Sequence, residues 1–319
     1  MMSKLIRIAT RESPLALWQA EHVQARLSTA LPGTEVSLAP MSTFGDRWQK
    51  TPLSEIGGKN LFVKELEEAI LRGEADIAAH SMKDVASTLP AGFGIVAALP
   101  RENPFDVLVS NRYRALDELP AGAVIGTCSP RRVAQLRLLG RGFEIRNLRG
   151  NINTRLAKLD AGEYDAIILA AAGLERLGMH DRIAEVLPIA ISLPAIGQGI
   201  VGIEAQLADT TLCRQVASIA DADTTLRLGA ERAFSHRLEG GCSAPMAGYC
   251  TIENGELHLR GRVIALDGSE VLEADATAPA TLEAAQALGT ELAERLIARG
   301  ARRLLDDAEA IAAAARERA

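Results

Sequence analysis

Ala75-Asp76-Ile77-Ala78-Ala79-His80-Ser81-Met82-Lys83-Asp84-Val85 is the stretch that most limits what this chain can become. Its first half is small and apolar with little charge, the pattern of a strand buried on both faces of a parallel sheet, and a polar cluster then arrives abruptly. The chain thus leaves a core carrying ionisable groups, and open α/β sheets place their ligand crevices at the carboxyl ends of such strands. Lys83 and Asp84 offer a cation and a carboxylate to one bound molecule, with Asp84 as the chemical centre. Read in isolation they are equally a solvated loop pair, so the rest of the chain must decide.

The chain has 319 residues, enough for two or three domains each with its own core. A net charge of −6 argues against nucleic-acid binding, so any anion must meet a local basic patch. The first residues run into a strand pattern without a long apolar segment, and no apolar run approaches membrane-spanning length. A cytoplasmic location away from the membrane is expected. Cys128, Cys213, Cys242 and Cys250 lack CxxC spacing and the histidines lack HExxH spacing, so neither a structural disulfide nor a metal site is expected.

Strand-helix alternation fills the first two thirds. Residues 5–9 read as a strand, Ser13 as a helix cap and Pro14 as the first position of a helix running to about residue 30. That corner gathers Arg11, the Ser13 hydroxyl and free N–H groups in a setting that suits a carboxylate or phosphate, or serves plain capping. A strand at 35–39 precedes residues 42–60, a polar, glycine-containing segment expected to act as a lid. A helix at 61–71, the strand before His80 and a strand at 93–98 follow, and residues 100–104 read as a linker.

Strands at 105–109 and 123–126 lead into Thr127-Cys128-Ser129-Pro130-Arg131-Arg132. Arginines in a helix's first turn oppose its dipole, so an anion is expected to offset them. From Arg131 to Arg155 seven arginines stand against Glu144 alone; Arg137 and Arg141 read as solvated, and those at strand-helix corners as facing the crevice. Residues 164–170 form an apolar strand, and Ala171-Ala172-Gly173 opens a helix with room for a ligand to approach the backbone. The run Gly197 to Glu204 reads as a strand crossing back into the first sheet, which makes a hinged cleft between two α/β lobes.

The remainder differs: a helix at 223–238, antiparallel strands at 246–253, 256–266 and 270–274, a helix at 281–299 and a frayed helical tail at 302–319 with no role in chemistry. Between helix and strands lies Glu239-Gly240-Gly241-Cys242-Ser243-Ala244-Pro245. Two glycines before a cysteine and a proline after it make a tight loop that can hold a thiol against a ligand for covalent work; the alternative is a small buried cysteine under a turn. Cys213 and Cys250 take that plainer role.

Together His80 to Val85, GTCSPRR from Gly126, LRGNINTR from Leu148, PAIGQGIVGIE from Pro194 and EGGCSAP from Glu239 resemble the porphobilinogen deaminase family, in order from Arg7 to about Gly300. The resemblance implies two periplasmic-binding-protein-like lobes with a hinged cleft plus a smaller α+β C-terminal domain. Residues 1–99 with 198–218 are expected to form the first domain, 104–194 the second and 222–319 the third. It also implies a dipyrromethane cofactor held by a thioether to Cys242, which primes the joining of four porphobilinogen molecules with loss of ammonia. Ser81, Lys83, Asp84, Thr127, Ser129, Arg131, Arg132 and Arg155 are implied as cofactor-binding, and Arg11, Ser13, Arg149 and Arg176 as substrate-binding.

Physical chemistry supplies reasons for these roles. Loss of the substrate's amine leaves an electron-poor methylene-pyrrole cation, which a carboxylate such as Asp84 can stabilise. Each pyrrole brings an acetate and a propionate, and planar guanidinium groups bind carboxylates in bidentate fashion. Cys128 departs from the small residue expected there and puts a second thiol beside the pocket. A monomer is expected. The competing reading is a two-lobed carboxylate sensor without catalysis, which leaves Cys242 and Asp84 unexplained; a pyridoxal-phosphate enzyme using Lys83 or Lys59 ranks last, as neither lysine lies in a cofactor motif.

Overall fold

The computed structural model describes residues 5–43, 63–240 and 244–317. The lid expected at 42–60 falls almost wholly outside these residues, and so does Cys242.

Three sheets organise the chain. The first has the order β2-β1-β3-β10-β4, built from β1 (Leu5–Arg11), β2 (Glu35–Met41), β3 (Ile77–Ser81), β4 (Phe93–Ala98) and β10 (Val201–Gln206). β1, β2 and β3 run parallel, and β10 lies antiparallel between β3 and β4, so the expected crossing back into the first sheet is observed. On one face α1 (Pro14–Ala30) and α6 (Thr210–Ala217) bury Ile6, Ile8, Val23, Leu27 and Val216. On the other, α2 (Lys64–Leu71) lays Leu66 and Ile70 on Ala9 and Ala78. Strands covered on both faces read as near-continuous apolar runs, as β3 does.

The second sheet has the order β7-β6-β8-β5-β9, from β5 (Asp106–Val109), β6 (Val124–Gly126), β7 (Glu144–Arg146), β8 (Ala166–Ala170) and β9 (Glu185–Val186). Its helices are α3 (Pro130–Leu138), α4 (Ile152–Asp160) and α5 (Ala171–Arg176). Ser13, Ser129 and Asn151 cap α1, α3 and α4 with their side chains, so three helix starts lie just past strand ends.

The lobes are stitched together where residues 99–104 and 197–201 cross. Glu102 N–H donates to the Gly199 carbonyl at 3.1 Å and Leu99 N–H to the Val201 carbonyl at 2.9 Å. Gly199 has φ +86, and a side chain there would run into the Glu102 carbonyl, so the crossing requires glycine. Gly173 has a related use: a Cβ there would lie 2.9 Å from Ile152 and 3.7 Å from Leu15, the latter on α1 of the other lobe. The small residues opening α5 therefore serve packing between the lobes as well as any approach by a ligand.

The third unit packs α7 (Ala222–Arg237), α8 (Leu282–Ala298) and α9 (Ala301–Glu317) on the antiparallel sheet β11 (Met246–Glu253), β12 (Glu256–Ile264), β13 (Val271–Pro279). The tail expected to fray, 302–319, instead contributes to the core: Leu304, Leu305 and Ala308 are buried. Alanine-rich sequence obscured an apolar stripe at helical spacing. Among the described residues no helix is long and apolar enough to cross a membrane.

Candidate active site

β3 ends in a single tight turn, Met82–Asp84, and Met82 fixes it. Its side chain is buried with Val85, Ala98, Ile200 and Leu228, and its N–H donates to the Ile200 carbonyl at 3.0 Å. With Met82 anchored inward, Lys83 is left half-buried and Asp84 exposed at the strand's carboxyl end. Ser81 accepts a hydrogen bond from Gln19 Nε2 of α1 at 2.7 Å.

Lys83 feels charges from both sides of the cleft. Burial lowers its pKa, the charges of Asp84 and Asp106 raise it, Arg132 and Arg131 lower it, and the balance is about 8. Groups of both lobes thus act on one ammonium.

Arg131 and Arg132 do not point freely into the crevice. The expected anion is the protein's own: Asp106, wholly buried on β5, a residue that sequence reading missed. Asp106 takes Arg131 Nη1 at 2.8 Å and Nη2 at 3.2 Å, and Arg132 Nη2 at 2.6 Å and Nε at 3.1 Å. Ser192 and Gln198 also donate to it, at 2.6 and 3.0 Å. Burial alone would push the Asp106 carboxyl up, but the two arginines override it and hold it well below the usual carboxylate range. Arg131 donates further to the Leu193 carbonyl and Arg132 to the Ile168 carbonyl, at 2.6 and 2.8 Å. Among the described residues, three of the five N–H groups of each guanidinium are engaged in this way.

The rest of the basic patch is similarly tempered. Arg141, expected to be solvated, pairs with Asp117 at 2.6 Å and also reaches the Leu116 carbonyl, while Arg146 pairs with Glu144. Arg137 donates to the Leu266 carbonyl of the third unit at 2.9 Å. Arg149 is buried and Arg155 half-buried, its Nε donating to the Gly150 carbonyl at 2.8 Å. Arg176 pairs with Glu102 at 2.6 Å, its side chain 5% exposed, and lies 5.4 Å from the centre of the Trp18 ring. Arg11 and Ser13 stand half-buried at the start of α1.

Thr127 is buried and its Oγ1 accepts from Ser129 N–H at 3.3 Å, while Ser129 in turn accepts from Arg132 N–H at 3.5 Å. Cys128 between them is a half-buried free thiol. Cys250 is buried, and burial pushes its thiol up to about 12, the inert condition expected of it.

Both ends of the Cys242 loop are described. Gly240 N–H donates to the Ser235 carbonyl and Ser235 Oγ to the Gly240 carbonyl, both at 3.1 Å. Glu239 has φ +51, the left-handed conformation, which turns the chain sharply out of α7. Arg302 of α9 donates to the Leu238 carbonyl at 2.7 Å and pairs with the Glu239 carboxylate. α7 is tied to the hinge by Glu231, wholly buried, which receives Arg101 at 2.5 Å, Gly197 N–H at 2.7 Å and Cys250 N–H at 2.8 Å. Asp106 and Glu204 share one sequence signal, an acid inside a strand that is otherwise apolar core, which demands a buried partner.

The family model for porphobilinogen deaminase, dipyromethane cofactor binding domain, matches residues 6–214, and that for porphobilinogen deaminase, C-terminal domain, matches residues 225–298. Among solved structures, the methionine binding protein MetQ is 14% identical with a TM-score of 0.45, over 67% of this chain and 89% of its own. Lipoprotein Tp32 from Treponema pallidum is 15% identical with a TM-score of 0.45, over 68% and 91%.

Proposed function

Because this chain belongs to the porphobilinogen deaminase family, we propose a division of labour among the residues gathered at the crevice. The activity is that of a hydroxymethylbilane synthase: four porphobilinogen molecules lose ammonia and are joined head to tail, and the linear tetrapyrrole is released by hydrolysis. A dipyrromethane cofactor belongs to this activity, and when bound it supplies the terminal pyrrole to which the first substrate is joined.

The described residues suit such a group. Its pyrroles carry acetates and propionates, and Lys83 lies in the field of Arg131 and Arg132, with Asp84 and Asp106 opposing them. A carboxylate ligand restores the balance and returns Lys83 to a firmly charged state. In this reading Ser81, Lys83, Asp84, Thr127, Ser129, Arg131, Arg132 and Arg155 hold the cofactor, with Cys242 as its attachment point. Arg11, Ser13, Arg149 and Arg176 receive the substrate's acetate and propionate. Asp106 orients both arginine forks, whose other N–H groups donate to carboxylate oxygens.

Asp84 is assigned the chemistry. Its carboxylate faces the substrate's pyrrole N–H, offsets the positive charge that develops as ammonia leaves, and steadies the ring while the new carbon-carbon bond forms. The new ring position then gives up its proton, which the exposed Asp84 carboxylate accepts. The domains follow the division 1–99 with 198–218, 104–194 and 222–319, and the enzyme works as a cytoplasmic monomer on a small-molecule substrate.

The observation carrying this reading is that Lys83, at the carboxyl end of β3 on one lobe, feels the charges of Arg131, Arg132 and Asp106 on the other. Intact mass of wild type beside Cys242→Ser tests it. Wild type should exceed its calculated mass by two deaminated porphobilinogen units and the variant should not. If porphobilinogen adds mass to neither protein, the assignment of Cys242 fails and a carboxylate sensor takes its place.

A further inference from the structure

Behind the strand that carries Lys83 and Asp84 lies a buried acidic group that the mechanism does not use. His80 Nε2 and Glu204 Oε2 meet at 2.9 Å, with side chains 4% and 0% exposed. In the β3–β10 register His80 stands opposite Gly202 and Glu204 opposite Ala78, a diagonal pair on one face of the sheet. That face is covered by α2, which buries Glu67 beside Leu66 and Ile70. Among the described residues, Oε1 of Glu67 and Oε1 of Glu204 are both buried with no hydrogen-bond partner.

Two ionised carboxylates in such a space are costly, since each desolvated oxygen lacks a donor and the charges repel. Burial, then the charge of Glu204, then that of Glu68 push the Glu67 carboxyl up to about 7. The charged groups bearing on Glu67 are thus Glu204 of β10 and Glu68 of its own helix, with His80 of β3 beyond Glu204. A protonated Glu67 brings an O–H donor into a space whose two open positions are both acceptors.

We propose that Glu67 keeps its proton in the working enzyme, and that Glu67, Glu204 and His80 form a positioning unit for the turn bearing Lys83 and Asp84. With Glu67 neutral, the repulsion between Glu67 and Glu204 is absent, and the contact between Glu204 and His80 fixes the end of β3. When Glu67 gives its proton to solvent, a second negative charge stands under the sheet and α2 is driven from β3. The positioning half rests on the roles assigned above to Lys83 and Asp84; the protonation half does not.

The test is Glu67→Gln, which copies the neutral acid, in the full-length enzyme carrying its cofactor. A carboxyl whose folded pKa is raised gives stability that is complete below its unfolded pKa and is lost as pH rises through the folded one. Wild type should therefore lose melting temperature relative to E67Q between pH 5 and pH 8, and show a neutral-acid infrared band at pH 6 that E67Q lacks. The alkaline fall in kcat should move to higher pH in E67Q, with KM little changed. A melting gap that ignores pH, without the infrared band, overturns the protonation. A pH-dependent gap with superimposable kcat profiles overturns the positioning. Should Asp84→Asn keep full activity, the site reading fails while the melting result stands.

Discussion

Asp106 Oδ1 receives Arg132 Nη2 at 2.6 Å, between side chains 0% and 7% exposed, and the same carboxylate holds Arg131. Neighbouring cations at a helix start are tolerable because one buried anion serves both. Asp106→Asn keeps the shape and removes the charge, so it should cost about 3–5 kcal/mol of stability, as breaking a buried ion pair does. Urea unfolding measures this, and a loss below 1 kcal/mol would show that the arginines find other partners.

Asp84 is exposed, and among the described residues no hydrogen bond ties its carboxylate to the fold. Asp84→Asn should therefore leave the melting temperature unchanged while kcat falls by roughly 10²–10⁴, the range for a positioned acid-base group. Porphobilinogen consumption and a melting curve on the same sample check both halves.

Burial, against the attraction of Asp84 and Asp106, pushes the Lys83 ammonium down to about 8. Its depressed pKa means that the native state binds this proton less tightly than the unfolded chain, so its contribution to stability rises as pH increases from 8 towards its ordinary value. Ligand affinity runs the other way. Carboxylate binding should weaken above pH 8 as the ammonium is lost, and Lys83→Met should flatten that dependence. A calorimetric titration with porphobilinogen on the Cys242→Ser protein at pH 7 and pH 9 tests it.

Arg302 grips the base of the cysteine loop through the Leu238 carbonyl and Glu239. The guanidinium is well exposed, so Arg302→Ala should change stability by no more than about 1 kcal/mol. Loading of Cys242 should slow severalfold as the loop base loosens, followed by mass spectrometry after adding porphobilinogen to apoprotein. Unchanged loading would confine Arg302 to helix packing.

Much of this organisation is legible in the sequence because strands covered on both sides announce themselves as apolar runs. β3, β4 and β8 stand close to where periodicity puts them, and Ser13 and Ser129 cap the helices their Ser-Pro pairs predict. Partnerships were harder to see. Asp106 sits in Phe105-Asp106-Val107-Leu108-Val109, where one acid passes as noise in an apolar strand, yet it decides how Arg131 and Arg132 are held. The arginines read as unopposed because their anion, Asp106, lies outside the 131–155 stretch. α9 departs from its sequence pattern for a related reason: alanine and charge suggest fraying, while tertiary packing makes Leu304 and Leu305 core.

The placement of β10 also bears on how the polypeptide emerges during synthesis. β3 and β4 are separated in the sheet by a strand that begins at Val201, after the whole second sheet has been made. Until then the nascent amino-terminal lobe exposes two strand edges, and closing the gap requires contacts across more than a hundred intervening residues. The ribosome therefore delivers an incomplete first lobe, and translation pauses or truncations before Gln206 leave a species with open strand edges, prone to aggregation.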